Sequence, residues 1–474
     1  MGEHLYLQLA GEIEKMIQDE VLQIGNKLPS VRQVSEERGV SMGTAFQAYY
    51  HLEAKGLIES RPKSGYYVRF NMRRMPGVPE AAVSDPVTRD ISVRDMMGAV
   101  FSKGRSGELL NLSVAAPPME LLPAAKLNKS LVHAMRALKD HGVQYEEIQG
   151  NRELRRQLAK QAFAWKGKFS EEDVIVTAGC MEALAVCLKA VTMPGDTVAI
   201  EHPTYFGILQ VLEGMGLKAL ELPSDPATGV DPGKAEALMD RMRIKALVLV
   251  TNFSNPMGSC MPDENKRRLV EILTRRRIPL IEDDIYGEMY FGEHRPGTCK
   301  AFDKEGWVLY CSSLSKSLAP GYRIGWTLPG RFKEEVLRQK LMHTVTGTTI
   351  TQAAMAHFLG IGRYDFHLKK LRRSLQAQCL QYMQGIVDCF PADIKVSRPQ
   401  GGFVLWVELD RGIDAFELYQ RAVRQQISIA PGKLFSGRGQ FANCLRISYA
   451  RPWDEDVARG LRVLGRLIRE LASR

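Results

Sequence analysis

One stretch of the chain carries most of its chemical information: Ser313-Leu314-Ser315-Lys316, followed by Ala319-Pro320-Gly321-Tyr322-Arg323-Ile324-Gly325-Trp326. It comes shortly after residues 308–310, a short apolar run that is typical of a buried strand. Lys316 is therefore expected near the end of a strand, with hydroxyl side chains beside it and an arginine seven residues later. This pattern places an amine that can condense with an aldehyde beside groups that bind a phosphate.

The segments before this stretch supply the groups that a pyridine ring needs. Asp283 lies 33 residues before Lys316 in a predicted strand, where a carboxylate can pair with a pyridinium nitrogen and keep the ring protonated. Tyr286 and Asn255 carry a hydroxyl and an amide that can hydrogen-bond the 3′-oxygen of the ring. With Lys316, these residues predict a site for pyridoxal 5′-phosphate. Its phosphate is expected on three residues of the quoted stretch: Ser313, Ser315 and Arg323.

A glycine turn is expected to supply further phosphate donors. The strand-like residues 173–177 lead through this turn into a helical run, and the free N–H groups of a helix N-terminus attract anions. Tyr205, in His202-Pro203-Thr204-Tyr205, is expected to stack on the pyridine ring. Each residue alone has an ordinary structural explanation, whereas their order along the chain favours one site. The phosphate donors expected at the turn are Gly179, Cys180 and Met181.

Together these segments resemble those of the fold type I aminotransferases over about residues 110–474. The resemblance implies that Lys316 is the catalytic residue and carries the cofactor as an internal aldimine. Tyr145 looks like the tyrosine that reaches the phosphate in the neighbouring subunit, which implies a homodimer. Arg446, in Asn443-Cys444-Leu445-Arg446-Ile447-Ser448, resembles the arginine whose planar guanidinium receives a substrate α-carboxylate.

The alternation of predicted strands and helices in this part of the chain agrees with that fold. Short strand signals at residues 198–200, 246–250 and 279–281 alternate with helical segments, which predicts an α/β domain with a mostly parallel central sheet. Residues 403–409 and 444–448 are expected as strands and residues 415–425 as a helix. This tail therefore predicts a smaller α+β lobe.

The first 70 residues have a different pattern. Apolar residues at helical spacing predict three helices, the second starting with a capping box of Ser30 and Gln33 and the third capped by Ser41. Two short strands joined by a basic turn follow. The segments Lys27-Leu28-Pro29-Ser30-Val31-Arg32, Gly39-Val40-Ser41 and Ser64-Gly65-Tyr66-Tyr67-Val68 resemble the GntR family of bacterial regulators, which implies a mainly α winged helix-turn-helix.

This resemblance implies binding to double-stranded DNA, with the third helix in the major groove and the wing on the phosphates. Met42 and Phe46 depart from the family pattern, because many relatives carry arginines at these positions. A helical module that binds another protein is the alternative. The residues expected at the DNA are Arg32, Ser41, Met42, Thr44, Arg61, Lys63, Ser64 and Gly65.

A GntR-type module joined by a linker to an aminotransferase-like domain is the architecture of the MocR subfamily. The predicted divisions are residues 1–70 for the DNA-binding module, 71–107 for the linker and 108–474 for the domain that binds pyridoxal phosphate. The resemblance implies a homodimer, often head-to-tail, that senses an amino acid, an amine or the vitamer itself. One alternative is an active aminotransferase with an accessory DNA-binding domain. The other is a DNA-binding protein whose large domain is only a dimerisation scaffold, although the complete set of cofactor residues argues against it.

The composition limits the classes of protein to which the chain can belong. The chain has 474 residues, 45% of them hydrophobic and 25% charged, which is ordinary for a globular protein, and its net charge is +10. Eight cysteines without a Cys-x-x-Cys spacing and nine histidines without paired ligand spacing predict neither a disulfide framework nor a metal site. An N-terminus without an apolar signal core predicts a cytoplasmic protein that does not enter a membrane.

Overall fold

The computed structural model describes residues 5–19, 21–22, 24–61, 64–69, 76–81, 109–139 and 142–473. Most of the predicted linker lies outside these ranges, as does Lys63.

The N-terminal module consists of three helices and a two-stranded hairpin. Ser30 and Ser41 cap the second and third helices, because each hydroxyl accepts a hydrogen bond of 3.1 Å from the backbone N–H three residues later. The predicted capping box is only half formed, since the Gln33 side chain donates to Glu37 instead. The elements are α1 (Leu5–Gln18), α2 (Val31–Arg38), α3 (Met42–Ala54), β1 (Ile58–Arg61) and β2 (Gly65–Val68).

The large domain is built on a central sheet, to which eight strands of the described residues belong. The strands that follow the hairpin are β3 (Leu110–Asn111), β4 (Ile175–Thr177), β5 (Thr197–His202), β6 (Lys218–Asp225), β7 (Gly229–Val230), β8 (Ala246–Leu249), β9 (Leu280–Asp283), β10 (Val308–Ser313) and β11 (Gly325–Leu328). In the sheet their order is β4-β11-β10-β9-β8-β5-β6-β7. The five strands from β10 to β6 run parallel, while β4, β11 and β7 are antiparallel to their neighbours, so the predicted mostly parallel sheet is confirmed.

Helices cover both faces of this sheet. Ile200 and Val248 pack into one hydrophobic cluster, and their chain neighbours Ala199 and Leu247 pack into another on the opposite face, as alternation along a strand requires. The helices of this part of the chain are α4 (Ala124–Ala137), α5 (Arg152–Gln161), α6 (Cys180–Val191), α7 (Phe206–Gly214), α8 (Pro232–Met239), α9 (Asp263–Arg276), α10 (Cys299–Phe302), α11 (Lys333–Thr344), α12 (Thr349–Gly360) and α13 (Arg363–Cys389).

A smaller antiparallel sheet forms the predicted α+β lobe at the end of the chain. Its order is β12-β13-β16-β15, and the short β14 pairs instead with β3, which ties the start of the large domain to this lobe. No helix in the described part of the chain is long and apolar enough to cross a membrane. The elements are β12 (Lys395–Val396), β13 (Val404–Glu408), α14 (Ala415–Arg424), β14 (Ile427–Ser428), β15 (Ala430–Pro431), β16 (Cys444–Ser448) and α15 (Glu455–Ala472).

Candidate functional site

The predicted cofactor residues meet at one edge of the central sheet. Asp283 is the last residue of β9 and lies opposite Cys311 of the parallel strand β10. Lys316 follows three residues after the end of β10. Thr177, the last residue of β4, lies opposite Gly325 in β11 and leads into the glycine turn before α6. Because the carboxyl ends of parallel strands share an edge, three distant segments of the chain come together here.

Lys316 is enclosed and has no carboxylate in ion-pair distance among the described residues. Its Nζ donates to the backbone oxygen of Ala115 at 2.5 Å. Burial lowers the pKa of Lys316 to about 8, and the positive charge of Arg446 adds to the shift. A larger fraction of this amine is therefore neutral near pH 7 than in an exposed lysine, and the neutral amine is the form that attacks an aldehyde.

This lowered pKa predicts how fast Lys316 captures pyridoxal phosphate at different pH values. We expect the rate constant for adding the aldehyde to the apo protein to rise about tenfold from pH 6 to pH 7 and to level off above about pH 9. An ordinary lysine, with a pKa near 10.4, would still gain about tenfold between pH 8.5 and 9.5. Stopped-flow absorbance on the apo protein measures this rate, and a steep rise above pH 9 would contradict the lowered pKa.

Asp283 provides a buried carboxylate without a cation in ion-pair distance among the described residues. It accepts hydrogen bonds from the Cys180 thiol at 3.3 Å and from the backbone N–H of Ile285 at 3.1 Å. Burial raises the pKa of Asp283 to about 6. A carboxylate in this environment gains most from a partner that carries a proton, such as a pyridinium nitrogen.

The glycine turn, a hydroxyl and an arginine converge into a cup for an anion. Gly179 precedes α6 with φ 92°, and a Cβ at this position would overlap the guanidinium of Arg323. That guanidinium donates to the Ala178 backbone oxygen at 2.9 Å and to Ser315 Oγ at 3.2 Å. Ser313 Oγ lies 2.7 Å from Ser315 Oγ and accepts from its backbone N–H. With the N-terminus of α6, whose first turn contains Cys180 and Met181, these groups could hold a phosphate.

A second buried cation lies on the small lobe. Arg446 in β16 donates to Asn255 Oδ1 at 2.8 Å and to the backbone oxygen of Ser113, while its Nε has no hydrogen-bond acceptor among the described residues. Burial lowers the pKa of Arg446 to about 10. The amide nitrogen of the same Asn255 donates to the Tyr286 hydroxyl at 3.3 Å. A buried guanidinium that has no carboxylate in ion-pair distance in the described part of the chain fits a ligand that carries one.

The two remaining tyrosines differ in their surroundings. Tyr205 precedes α7, and burial raises the pKa of its hydroxyl. The charges of Arg446 and Asp283 also act on this hydroxyl, which places Tyr205 near both groups. Tyr145 is 89% exposed on the surface of the chain, and nearby Val143 is 85% exposed. The described residues of one chain therefore do not bring Tyr145 into the site.

Two contacts in this site were not predicted from the sequence. Ala115 and Ser113 use backbone oxygens to hold Lys316 and Arg446, respectively. Ser113 is positioned by a turn in which Asn111 Oδ1 accepts its backbone N–H at 3.0 Å. The Asn-x-Ser spacing of such a turn is the one sequence signal that could have indicated the contact of Ser113, because a backbone acceptor does not require a particular side chain.

The N-terminal module places most of its predicted DNA contacts on the surface. Arg32 and Ser41 are exposed, and Arg32 forms an ion pair of 3.0 Å with Glu36. Arg61 at the end of β1 pairs with Glu59 at 2.8 Å and stacks over the Tyr67 ring. Met42 and Gly65 are exposed, Thr44 and Ser64 are partly buried, and Lys63 lies outside the described residues.

These contacts fit pyridoxal phosphate in three respects. The site offers an amine of lowered pKa, a buried carboxylate without a cation in ion-pair distance among the described residues, and a glycine cradle that a Cβ would fill. Lys316 would hold the cofactor aldehyde, Asp283 the ring nitrogen, and the cup around Arg323 the phosphate. In the described ranges, no three His, Cys, Asp or Glu side chains are grouped in a way that could hold a metal ion.

Two family models match the chain. The model of the aminotransferase class I and II family matches residues 107–464, and the model of the bacterial regulatory proteins of the gntR family matches residues 5–68. Each match covers one of the two parts of the chain described above.

Whole-length relatives combine both parts. The HTH-type transcriptional regulators YjiR and YdcR of Escherichia coli K12, whose own functions are uncharacterized, are 36% and 37% identical to the chain. The alignments cover 98% of this chain and 98% and 99% of the relatives. A 2-aminoadipate transaminase of Thermus thermophilus is 30% identical to the chain, and the alignment covers 77% of this chain and 91% of the transaminase.

Solved structures share the fold of the large domain. The α-aminoadipate aminotransferase LysN of Thermus thermophilus, in complex with N-(5′-phosphopyridoxyl)-L-leucine, has a TM-score of 0.72 at 27% identity and covers 81% of this chain and all of its own. Pyridoxal phosphate is the cofactor of the aminotransferase class I and II family. With the gntR-type module at its N-terminus, the chain belongs to this family as a member of the MocR subfamily of regulators.

Proposed function

We propose that this protein regulates transcription by binding operator DNA through residues 1–70 and by sensing an amino acid, an amine or the vitamer itself through residues 108–474. The main support is that the chain joins a winged helix-turn-helix to a site where Lys316, Asp283 and Arg323 come together, and that regulators resemble it over 98% of its length. A DNA-binding module has no role in the simple metabolism of amino acids. The hypothesis of a regulator therefore accounts for both parts of the chain.

The site contains a means of converting ligand binding into a movement of the lobes. When bound, pyridoxal phosphate supplies an aldehyde that exchanges one amine for another on an electron-withdrawing ring. Arg446 belongs to the small lobe. Of its two acceptors, Asn255 follows β8 of the central sheet, whereas Ser113 follows β3, which pairs with β14 of the small lobe. A ligand carboxylate competes with these acceptors for the guanidinium, which changes the contact between the lobes. Such a ligand shifts the protein only by its difference in affinity for the two states, typically about 1–3 kcal/mol.

The proposal includes a homodimer. The exposed Tyr145 and Val143 supply an apolar surface that a second subunit could cover, and we assign to Tyr145 the role of reaching the phosphate of the partner's site. A linker of about 35 residues spans roughly 30–35 Å if flexible, which allows each DNA-binding module to rest on the other subunit in a head-to-tail dimer. A regulator shares a compartment with its operator, which is the cytoplasm in bacteria.

An active aminotransferase with an accessory DNA-binding module is the second candidate. The observation that favours it is the 30% identity to a 2-aminoadipate transaminase over 77% of the chain. Sensing and turnover use the same chemistry on Lys316, so the two candidates differ in rate rather than in residues.

Two measurements on the full-length protein loaded with pyridoxal phosphate separate these candidates. The first titrates the absorbance between 300 and 500 nm with a panel of amino acids and amines and then measures DNA affinity with the compound that shifts the spectrum. The second measures multiple-turnover transfer between that compound and a 2-oxo acid. A change in DNA affinity without turnover supports the regulator, while rates near about 1 per second or above would support the enzyme. A protein that binds no DNA would overturn the proposal.

Arg32→Ala is expected to weaken DNA binding to all sequences alike. If Arg32 contacts one phosphate, its loss lowers the slope of log affinity against log salt by about 0.9, because one fewer counterion is released. Arg156→Ala is the matched control, since Arg156 is also an exposed helical arginine paired with a glutamate, Glu153, but lies in the large domain. An unchanged salt slope for Arg32→Ala would remove this residue from the phosphate contacts.

A further inference from the structure

Helix α3 carries an exposed apolar stripe. Met42, Phe46 and Tyr50 are 53%, 54% and 65% exposed. They follow one another at intervals of four residues, which places them within about 80° of each other around the helix. The residues that fasten α3 to the module lie on another face and are fully buried: Ala45, Ala48, Tyr49 and Leu52. The stripe is therefore not part of the core of the module.

The chemistry of this exposed face is unusual for a helix that meets DNA. Residues 42–50 contain no Lys, Arg, Asp or Glu, and the other exposed residues of the face are Gly43 and Gln47. The arginines lie on neighbouring elements instead, with Arg32 on α2 and Arg61 at the end of β1. Without an Arg or Lys, the first turns of α3 lack the commonest contact to guanine. What they offer is apolar surface, which suits the 5-methyl group of thymine, and one amide, which suits adenine.

We propose that α3 reads A·T base pairs in the major groove, with Met42 and Phe46 on thymine methyl groups and Gln47 on an adenine. The proposal rests on the DNA-binding function proposed above and adds the base chemistry that the helix recognises. A second protein is the poorer occupant, because a stable interface buries about 800 Å² on each partner, more than three half-exposed side chains provide. Arg32 and Arg61 are expected to hold phosphates beside this helix.

Uracil substitution tests this inference directly, since uracil differs from thymine only by the lost methyl group. The full-length protein loaded with pyridoxal phosphate is first used to select duplexes from a pool of random DNA. We expect the selected duplexes to share A·T base pairs, and replacement of each contacted thymine by uracil to weaken binding about fourfold. Phe46→Ala and Met42→Ala are expected to lose a similar factor on the thymine duplex and nothing further on the uracil duplex.

Matched variants and the salt dependence sharpen the result. Phe163→Ala and Met193→Ala, at positions 79% and 72% exposed in the large domain, are expected to leave DNA affinity unchanged. Phe46→Ala should leave the salt slope unchanged, because it removes no phosphate contact. Equal affinity for the thymine and uracil duplexes would overturn the inference while leaving DNA binding intact. Loss of the dimer in Phe46→Ala at unchanged DNA affinity would overturn it in favour of a protein contact, and failure to select any DNA would overturn the proposed function itself.

Discussion

Lys316→Ala is expected to abolish the covalent attachment of pyridoxal phosphate while leaving the fold intact. The Nζ of Lys316 donates to one backbone oxygen and forms no ion pair among the described residues, so its removal breaks no ion pair and takes from the buried Asp283 only a charge beyond ion-pair distance. The wild-type protein should show an absorption band of the bound cofactor between 300 and 500 nm and become labelled after borohydride treatment. The variant should lose the label completely, as mass spectrometry of the intact protein measures.

Lys340 provides a closely matched control for this experiment. Burial lowers its pKa to about 8 as well, and its Nζ donates to the backbone oxygen of Ile148. Reactivity that depended only on a neutral amine would therefore label both lysines. We expect labelling at Lys316 alone, because only that amine lies at the strand edge that also holds Asp283 and the phosphate cup around Arg323. Peptide mapping that found the label on Lys340, or an unchanged label in Lys316→Ala, would show that the lysine is misassigned.

Circular dichroism and thermal unfolding of Lys316→Ala distinguish lost chemistry from lost structure. The variant should still bind pyridoxal phosphate without a covalent bond, because the cup around Arg323 and the Asp283 carboxylate remain. A folded variant without label supports the assignment. An unfolded one directs the same test to Lys316→Arg, which keeps the positive charge but cannot form the link.

The parts of this site that were predictable are those in which the side chain itself does the chemistry. The chemistry uses an amine, a carboxylate and a guanidinium at Lys316, Asp283 and Arg446. Asp283 ends a short strand, Arg446 lies within one and Lys316 follows one by three residues, and each strand can be recognised from its own residues. Parallel pairing then brings the ends of β9 and β10 together. Local pattern and global topology agree at these positions, so the sequence alone could indicate that these segments meet.

The remaining contacts depend on packing between segments that have no local relation. Arg446 meets Ser113 across 333 positions and Asn255 across 191, and in the first of these contacts the acceptor is a backbone oxygen. The half-formed cap at Ser30 shows the same limit on a smaller scale, because Gln33 finds a better partner in Glu37 one turn later. The role of Tyr145 stays a prediction, since it concerns a second subunit.

Arg446 is expected to select ligands that carry a carboxylate. Its guanidinium is buried without a carboxylate in ion-pair distance among the described residues, and burial lowers its pKa to about 10. A ligand carboxylate that reaches this group gains a charge-assisted contact worth about 2–3 kcal/mol, which is roughly 30-fold to 150-fold in affinity. An amine without a carboxylate gains nothing there.

Arg446→Lys is therefore expected to weaken binding of the amino acid that shifts the absorbance of the holoprotein by about 30-fold or more. The amine that results from decarboxylation of that amino acid should bind the variant and the wild type within about threefold of each other. Lysine keeps the charge but lacks the planar pair of donors. The substitution therefore tests whether the paired donors of the guanidinium hold the ligand carboxylate. Titrations of the spectrum with the two compounds give both affinities on one preparation.

The ratio of these two affinities decides between a carboxylate receptor and a structural arginine. A structural role in linking Asn255 and Ser113 predicts equal losses for both compounds, because the lobes would then be misplaced for any ligand. Arg155→Lys controls for the general cost of replacing a buried arginine, since Arg155 is equally enclosed but is held by Glu147 and Glu172. If Arg446→Lys lowers both affinities to the same extent, the carboxylate belongs elsewhere. If it lowers only that of the amino acid, the ligand carries its carboxylate onto β16, and the small lobe takes part in sensing it.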